Sequence, residues 1–352
     1  VACLGGGPLF FYFDKFAIIC TMDLFQILKT LPKMRQAQLR QAVFVNLISD
    51  IEELTTFSKL EREQLCRDFE LIPYKIIAES VSKDGSIKWL LEFPDGARIE
   101  TVLLSFRDGR NTVCVSSQAG CPAGCAFCAT GKGGFRRNLS GWEIVSQVLL
   151  AGRKLKAESK KLSNVVFMGM GEPLFNMDNL LTAIDTLNDH SGLNIGARHM
   201  TISTCGPIRE LRKFIANKTR TTLAISLHAP DQKLREKLMP IAKVNPLSEL
   251  MEVVDDYLAD GGRRVSFEYI MLENINDGQA EALALVKLLK GRLAHINLIR
   301  FNEVDGIPFR ASSTNQVNFF KSVLETEGLS VTVRVSLGDE IAAACGQLAG
   351  KN

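Results

Sequence analysis

The segment GCPAGCAFCATG gathers three thiols, Cys121, Cys125 and Cys128, among small residues and turn formers. Thiolates are soft metal ligands, and the CxxxCxxC spacing supplies three of them from one loop. A structural zinc site closes with four ligands and calls for a second CxxC or a Cys/His pair nearby. The next cysteine is Cys205 and the nearest histidines are His190 and His199, so no compact second half is present. Three thiolates can instead hold three irons of a [4Fe–4S] cubane and leave the fourth iron open. The amino and carboxylate groups of an amino acid can chelate that iron, and S-adenosylmethionine (SAM) offers both. One electron passed to its sulfonium then cleaves it to a 5′-deoxyadenosyl radical. On this reading the missing fourth ligand marks the place where the cofactor docks.

Further polar groups recur at intervals that match the ends of β-type runs. FMGMGEP carries glycines that allow close backbone approach and Glu172, a partner for a cationic amino group. TISTCG contributes Ser203, SLHAP begins at Ser226, and RFNEV supplies Asn302. Lys132 lies in GKGGF, which lacks the GxxxxGK[ST] spacing of a phosphate loop and reads as a basic residue near the site. Cys114, in TVCVSS, and Cys345, in ACGQLAG, read first as buried core thiols, as do Cys66 and Cys205. For Cys345 the small, glycine-containing surroundings also suit a tail folded over the site, with a thiolate that accepts a methyl group.

These residues need elements to hold them. The first 21 residues are apolar but interrupted by Asp14 and Lys15, without a basic leader or cleavage pattern, and read as a poorly ordered extension rather than a targeting signal. Residues 22–72 show helical periodicity, with Ser58 as an N-cap. Residues 73–108 alternate in β fashion around a Lys83-Asp84-Gly85 turn. From 109 to 335, six β-type runs alternate with helical stretches and a seventh run, SVTVRVS, closes the series. This predicts an α/β fold: a partial six-unit (β/α) barrel, or a doubly wound sheet, with chemistry at the carboxyl ends of the strands. Residues 336–352 form a tail. Hydrophobic content of 46% supports a real core, and a net charge of +3 does not by itself announce a nucleic-acid partner. Nine cysteines without an export signal point to a reducing, cytoplasmic setting. No membrane partner is expected, and a monomer is.

The chain resembles the dual-specificity radical SAM RNA adenine methyltransferases, the RlmN and Cfr family, and stands nearer the RlmN branch. The resemblance rests on CVSSQAGCPAGCAFCATGKGGFRRNL, NVVFMGMGEPL, MTISTCG, AISLHAP, FEYIMLENIND, INLIRFN and GDEIAAACGQLAG, and runs from Met22 to the C-terminus. It implies methylation of adenine at C2, in the peptidyl-transferase loop of 23S rRNA and next to the anticodon of some tRNAs. Cys121, Cys125 and Cys128 then match the cluster ligands. Gly171, Glu172, Ser203, Ser226, Leu227, His228 and Asn302 match SAM-contact positions. The resemblance also implies two SAM molecules per turnover. The first methylates Cys345; the second yields the radical that takes a hydrogen from that methyl group. Cys114 matches the thiol that resolves the protein–RNA adduct through a disulfide with Cys345, and Glu100 the general base. A flavodoxin-type or other low-potential electron donor is implied as partner. The chain departs from the family pattern at Phe301 and Glu303, where a WNP-like segment is common, at Ser336 and Leu337, where basic or polar residues are common, and in a Glu100–Cys114 spacing one residue longer than in some relatives.

RNA needs phosphate contacts. Lys132, Arg136 and Arg137 are the nearest basic residues, with further runs at Arg153, Lys154, Lys156, Lys160 and Lys161 and at Arg209, Arg212 and Lys213. Each run taken alone reads as a solvated helix face. Two alternatives stay open at this point: a Cfr-like enzyme acting at C8, and a non-catalytic RNA- or zinc-binding module.

Overall fold

The computed structural model describes residues 22–334 and 337–350. The extension expected at residues 1–21, and Ser336, lie outside the described residues.

The chain opens with a helical unit: α1 (Leu24–Thr30), α2 (Lys33–Arg40) running into a π-helical turn at Gln41–Val45, and α3 (Lys59–Asp68). Asp23 with Gln26 and Ser58 with Glu61 form reciprocal capping boxes that satisfy the free amides opening α1 and α3. Three antiparallel strands follow: β1 (Lys75–Val81), β2 (Ile87–Glu92) and β3 (Arg98–Ser105). Then β4 (Asn111–Cys114) starts the parallel series. A two-stranded ribbon, β5 (Gln118–Gly120) and β6 (Phe135–Asn138), brackets the cysteine loop and the one-turn α4 (Ala129–Lys132). Beyond it come α5 (Gly141–Ala157), β7 (Asn164–Phe167), α6 (Met177–Asn188), β8 (Met200–Thr204), α7 (Ile208–Ala216) and β9 (Thr222–Ser226). The rest is α8 (Gln232–Leu238), α9 (Leu247–Ala259), β10 (Val265–Met271), α10 (Gln279–Leu289), β11 (Ala294–Arg300), α11 (Thr314–Thr326) and β12 (Val331–Arg334).

The sheet order decides between the two architectures. Its strands run β1-β2-β3-β4-β7-β8-β9-β10-β11-β12, and every pair from β4 to β12 is parallel. A doubly wound sheet reverses its order at a switch point; this one never does. It is therefore an open barrel of six strand–helix units, in which no described residues of β4 and β12 pair. The β stretch at 73–108 is not separate from it, because β3 pairs antiparallel with β4 and extends the same sheet.

One hydrophobic core runs from Leu24 to Leu348. The helical unit joins it through Trp142 on α5, whose ring meets Phe25, Phe44 and Phe69 at centroid distances of 6.1, 6.5 and 5.9 Å. Arg153 donates to the Leu47 and Ile48 carbonyls from the far end of the same helix. A second, smaller apolar cluster of Ala123, Phe127, Cys205, Leu238, Met239 and Ile270 carries the three loop cysteines at its edge. Among the described residues no helix is long and apolar enough to cross a membrane.

Candidate active site

The cysteine loop is fixed from three sides. At its root Gly120 has φ +76°, and a Cβ there would collide with the Gly134 carbonyl, so the ribbon requires glycine. Cys121 N donates to Gly134 O at 2.9 Å. Ala126 N donates to Leu238 O at 2.9 Å, tying the loop to α8, and Ala129 N donates to Gly346 O at 2.8 Å, tying it to the tail. Cys121, Cys125 and Cys128 border a cavity that opens to solvent. Among the described residues no three His, Cys, Asp or Glu side chains close on one point as a single-ion site requires. A cubane makes no such demand, since each thiolate takes a separate iron. Burial pushes Cys121 up to about 12 and Cys125 well above its usual range. Thiolates here therefore need a cation, and metal coordination supplies one.

The ends of the next strands form the opposite wall. Gly171 has φ +101°, and a Cβ would lie 2.5 Å from Gln118 Cβ; Gly169 is similarly pressed against Val115 O at 2.7 Å. Glu172 is buried. Its carboxylate accepts from Thr204 Oγ1 (2.7 Å), Leu174 N (3.0 Å) and Cys205 N (2.7 Å), three of roughly four acceptor sites. Burial raises its pKa and these donors pull it back. Ser203 and Ser226 lie within β8 and β9, at or next to their last residues rather than beyond them, with their hydroxyls 3.4 Å apart. His228, at φ +58°, packs edge-on against Phe127 at 4.8 Å and accepts from Ile270 N at 3.1 Å. Burial, with Arg235 nearby, holds its pKa down to about 3, so it is neutral. Leu227 differs: its side chain is fully buried, and its amide donates to Glu268 O. Asn302 stands outside this wall and donates to Cys345 O at 3.3 Å.

The tail closes the seam of the barrel. Cys345 faces both the first cavity and a second, lined by Cys114, Phe106, Val166, Leu337 and Leu348. Cys345 is exposed to these cavities, yet enclosure still raises its pKa, with Arg334 opposing. Burial pushes Cys114 up to about 12, and the nearby Cys345 adds to that. Arg334 borders both cavities; it lies 3.4 Å from Glu268 Oε2, whose other oxygen accepts from Asn297. Glu100 is placed elsewhere. Its Oε1 pairs with Lys88 at 2.8 Å, and its Oε2 accepts from the tail amides of Ala349 (2.6 Å) and Gly350 (3.0 Å). Its carboxylate thus sits beneath the tail rather than in either cavity.

The signature of the radical SAM superfamily matches residues 115–286. Over 319 residues the chain is 45% identical to the "Probable dual-specificity RNA methyltransferase RlmN" of Carboxydothermus hydrogenoformans, covering 90% of this chain and 92% of that protein. It is 44% identical to the "Dual-specificity RNA methyltransferase RlmN" of Campylobacter fetus, covering 90% and 93%. The chain belongs to the RlmN family of dual-specificity RNA methyltransferases. A crystal structure of a radical SAM methyltransferase from Sphaerobacter thermophilus superposes with a TM-score of 0.90 at 37% identity, over 96% of this chain and all of that one. Membership of the RlmN family makes this a radical SAM enzyme that acts on RNA, with SAM and a [4Fe–4S] cluster as its cofactors. The residues fit those groups: three soft thiol donors border one cavity, and its facing wall offers the polar groups of Glu172, Ser203 and Ser226.

The basic residues are largely spoken for. Arg137 bridges Asp95 (2.6 Å) and Glu143 (2.8 Å) and covers the Phe93 ring; Arg136 donates to the carbonyls of Gly96 and Asp95, and Lys132 to Gly306 O. Arg153, Lys154, Lys156, Lys160 and Lys161 cluster at the end of α5 and just beyond it. That helix runs back from the strands' carboxyl ends, so the run lies at the opposite face from the cavities. Arg153 and Lys156 there bind carbonyls of the helical unit. Arg209 and Arg212, on α7, pair with Glu210 and Asp256, and Lys213 lies in the last turn of the same helix. Cys205, Glu268, Arg334 and Phe127 border the first cavity without having been singled out for it. Cys205 had a signal, since it follows Ser203 at a strand end. Glu268 and Arg334 had none, because an acidic or basic residue inside a β run says nothing of what it faces.

Proposed function

We propose that this chain methylates C2 of an adenine in 23S rRNA and in some tRNAs, with Cys345 as methyl carrier and Cys114 as resolving thiol. The observation that carries the reading is the second cavity, which Cys114 and Cys345 line together while Cys345 also faces the cysteine loop. Cys121, Cys125 and Cys128 would hold the cluster, and the wall at Gly171, Glu172, Ser203, Ser226 and His228 would receive SAM, with Leu227 packed behind it and Asn302 approaching from the side of the tail. Held there, the cluster and SAM would supply the hydrogen-abstracting radical chemistry.

The protein's own groups do the rest. Cys345 Sγ takes a methyl group as nucleophile and presents it to the base, with Arg334 beside it to favour the thiolate. Two SAM molecules serve each turnover, one for the methyl group and one for the radical. Once a hydrogen atom is taken from the Cys345 methyl group, its carbon bonds to C2 of the adenine. Glu100 takes the C2 proton once the tail amides release its carboxylate, and one electron would return to the oxidised cluster. Cys114 Sγ then attacks Cys345 Sγ; the disulfide forms as the Sγ–CH2 bond breaks, its electron pair stays on the CH2 carbon, and that carbon takes up a proton to become the methyl group of the released base. A low-potential donor of flavodoxin type supplies electrons, and external reductant reopens the disulfide.

The test is a Cys114→Ala variant given SAM, reductant and RNA under anaerobic conditions. It should accumulate a covalent protein–RNA adduct through Cys345. Full turnover with no adduct would remove Cys114 from the reaction, and mass mapping of the product distinguishes C2 from C8.

A further inference from the structure

Arg235, on α8, is fully buried at 0% exposure, yet among the described residues its charge has no ion-pair partner. Nη2 donates to Cys205 O at 2.7 Å and lies 3.4 Å from Ser226 O; Nε and Nη1 are buried without any hydrogen bond. Among the described residues no carboxylate reaches it. The titratable groups whose charges bear on it are the thiols of Cys205 and Cys125. Arginine stays protonated in proteins, and an isolated buried charge costs several kcal/mol. A fold that tolerates this leaves the charge to be met by an anion from outside the chain. Arg235 does not border the cavity; it stands behind the wall formed by Cys205, next to the loop anchored on Leu238. It therefore touches no substrate, and acts through its field.

We propose that Arg235 is the built-in counter-charge of the iron–sulfur cluster, a positioning residue that favours its reduced state. This rests on the cluster reading above. A cubane held by three thiolates is net negative and becomes one unit more so on reduction. A fixed cation behind the wall at Cys205, whose charge also acts on the Cys125 thiol, stabilises both forms, the reduced one more, and so raises the reduction potential. Without the cluster the same cation is a liability. The two states of the protein should thus respond to its removal with opposite signs, which a purely structural arginine would not do.

The experiment compares wild type, Arg235→Met and Arg235→Lys. Each is measured iron-free by chemical denaturation, and after anaerobic reconstitution by EPR-monitored redox titration. Arg235→Met should lower the ratio of reduced to oxidised cluster at a fixed potential by about tenfold, or ~59 mV for one electron. Its iron-free form should be at least as stable as wild type. Arg235→Lys should keep the potential near wild type. An unchanged potential in Arg235→Met overturns the proposal, as does an iron-free variant less stable than wild type or unable to fold. If wild type itself forms no four-iron centre, the cluster reading falls as well; a normal wild-type centre with an unresponsive variant sinks only the role of Arg235.

Discussion

His228 shows how a single side chain is set by its surroundings. Its ring is held neutral, with a pKa near 3, because burial and Arg235 oppose the imidazolium and Ile270 N already occupies Nδ1. The unfolded chain takes up this proton near its ordinary pKa of ~6.5, so the contribution to stability is complete above that pH and is lost as pH falls toward 3. Buried Glu172 and Glu268 shift upward and oppose this trend, so the effect must be read as a difference. Denaturation of iron-free wild type against His228→Asn, which tolerates φ +58°, should show wild type losing up to about 1.4 kcal/mol more per pH unit below ~6.5. Parallel profiles would contradict the neutral assignment. At this scale the cysteine loop was legible because its spacing is a local pattern. Arg235, Glu268 and Arg334 were not, because each gains its meaning only from burial beside residues distant in the chain.

The hairpin and the tail illustrate the element scale. The β1–β2 turn was readable from Lys83-Asp84-Gly85, and Gly85 has the positive φ such a turn requires. Its grip on the tail was not readable, because the partners are more than 250 residues apart. Ser82 Oγ donates to Glu340 at 3.0 Å, Gly338 N to Asp84 at 2.9 Å, and Lys88 Nζ to Ala342 O at 3.0 Å. Glu100 holds the tail again beyond Cys345, so Cys345 hangs between two clamps. Asp84→Ala removes the bond to Gly338, worth about 1 kcal/mol, or about fivefold in a local opening equilibrium. Hydrogen exchange should rise by that factor across the tail while α5 stays protected. Equal protection would mean that the turn does not restrain it.

Across the whole molecule, the strand–helix rhythm gave the architecture its count, but not its closure. Alternation predicts strands; it does not say that β3 would lie against β4, or that the helical unit would dock on α5. That docking runs through Trp142, at 1% exposure, against rings contributed by the first 70 residues. Trp142→Ala should cost about 3–5 kcal/mol in denaturant unfolding, with the helical unit released first. A loss confined to the barrel, with α1–α3 still protected from proteolysis, would contradict a shared core. The seam between β4 and β12 has a further consequence for how the protein is made. The cysteine loop is complete long before the tail leaves the ribosome, and its cover over Ala129 and Thr130 comes from Gly346 and Leu348. Closing so long a loop adds little entropic penalty, because that cost grows only with the logarithm of length. Synthesis thus leaves the cysteine loop uncovered on this side until the tail has been made.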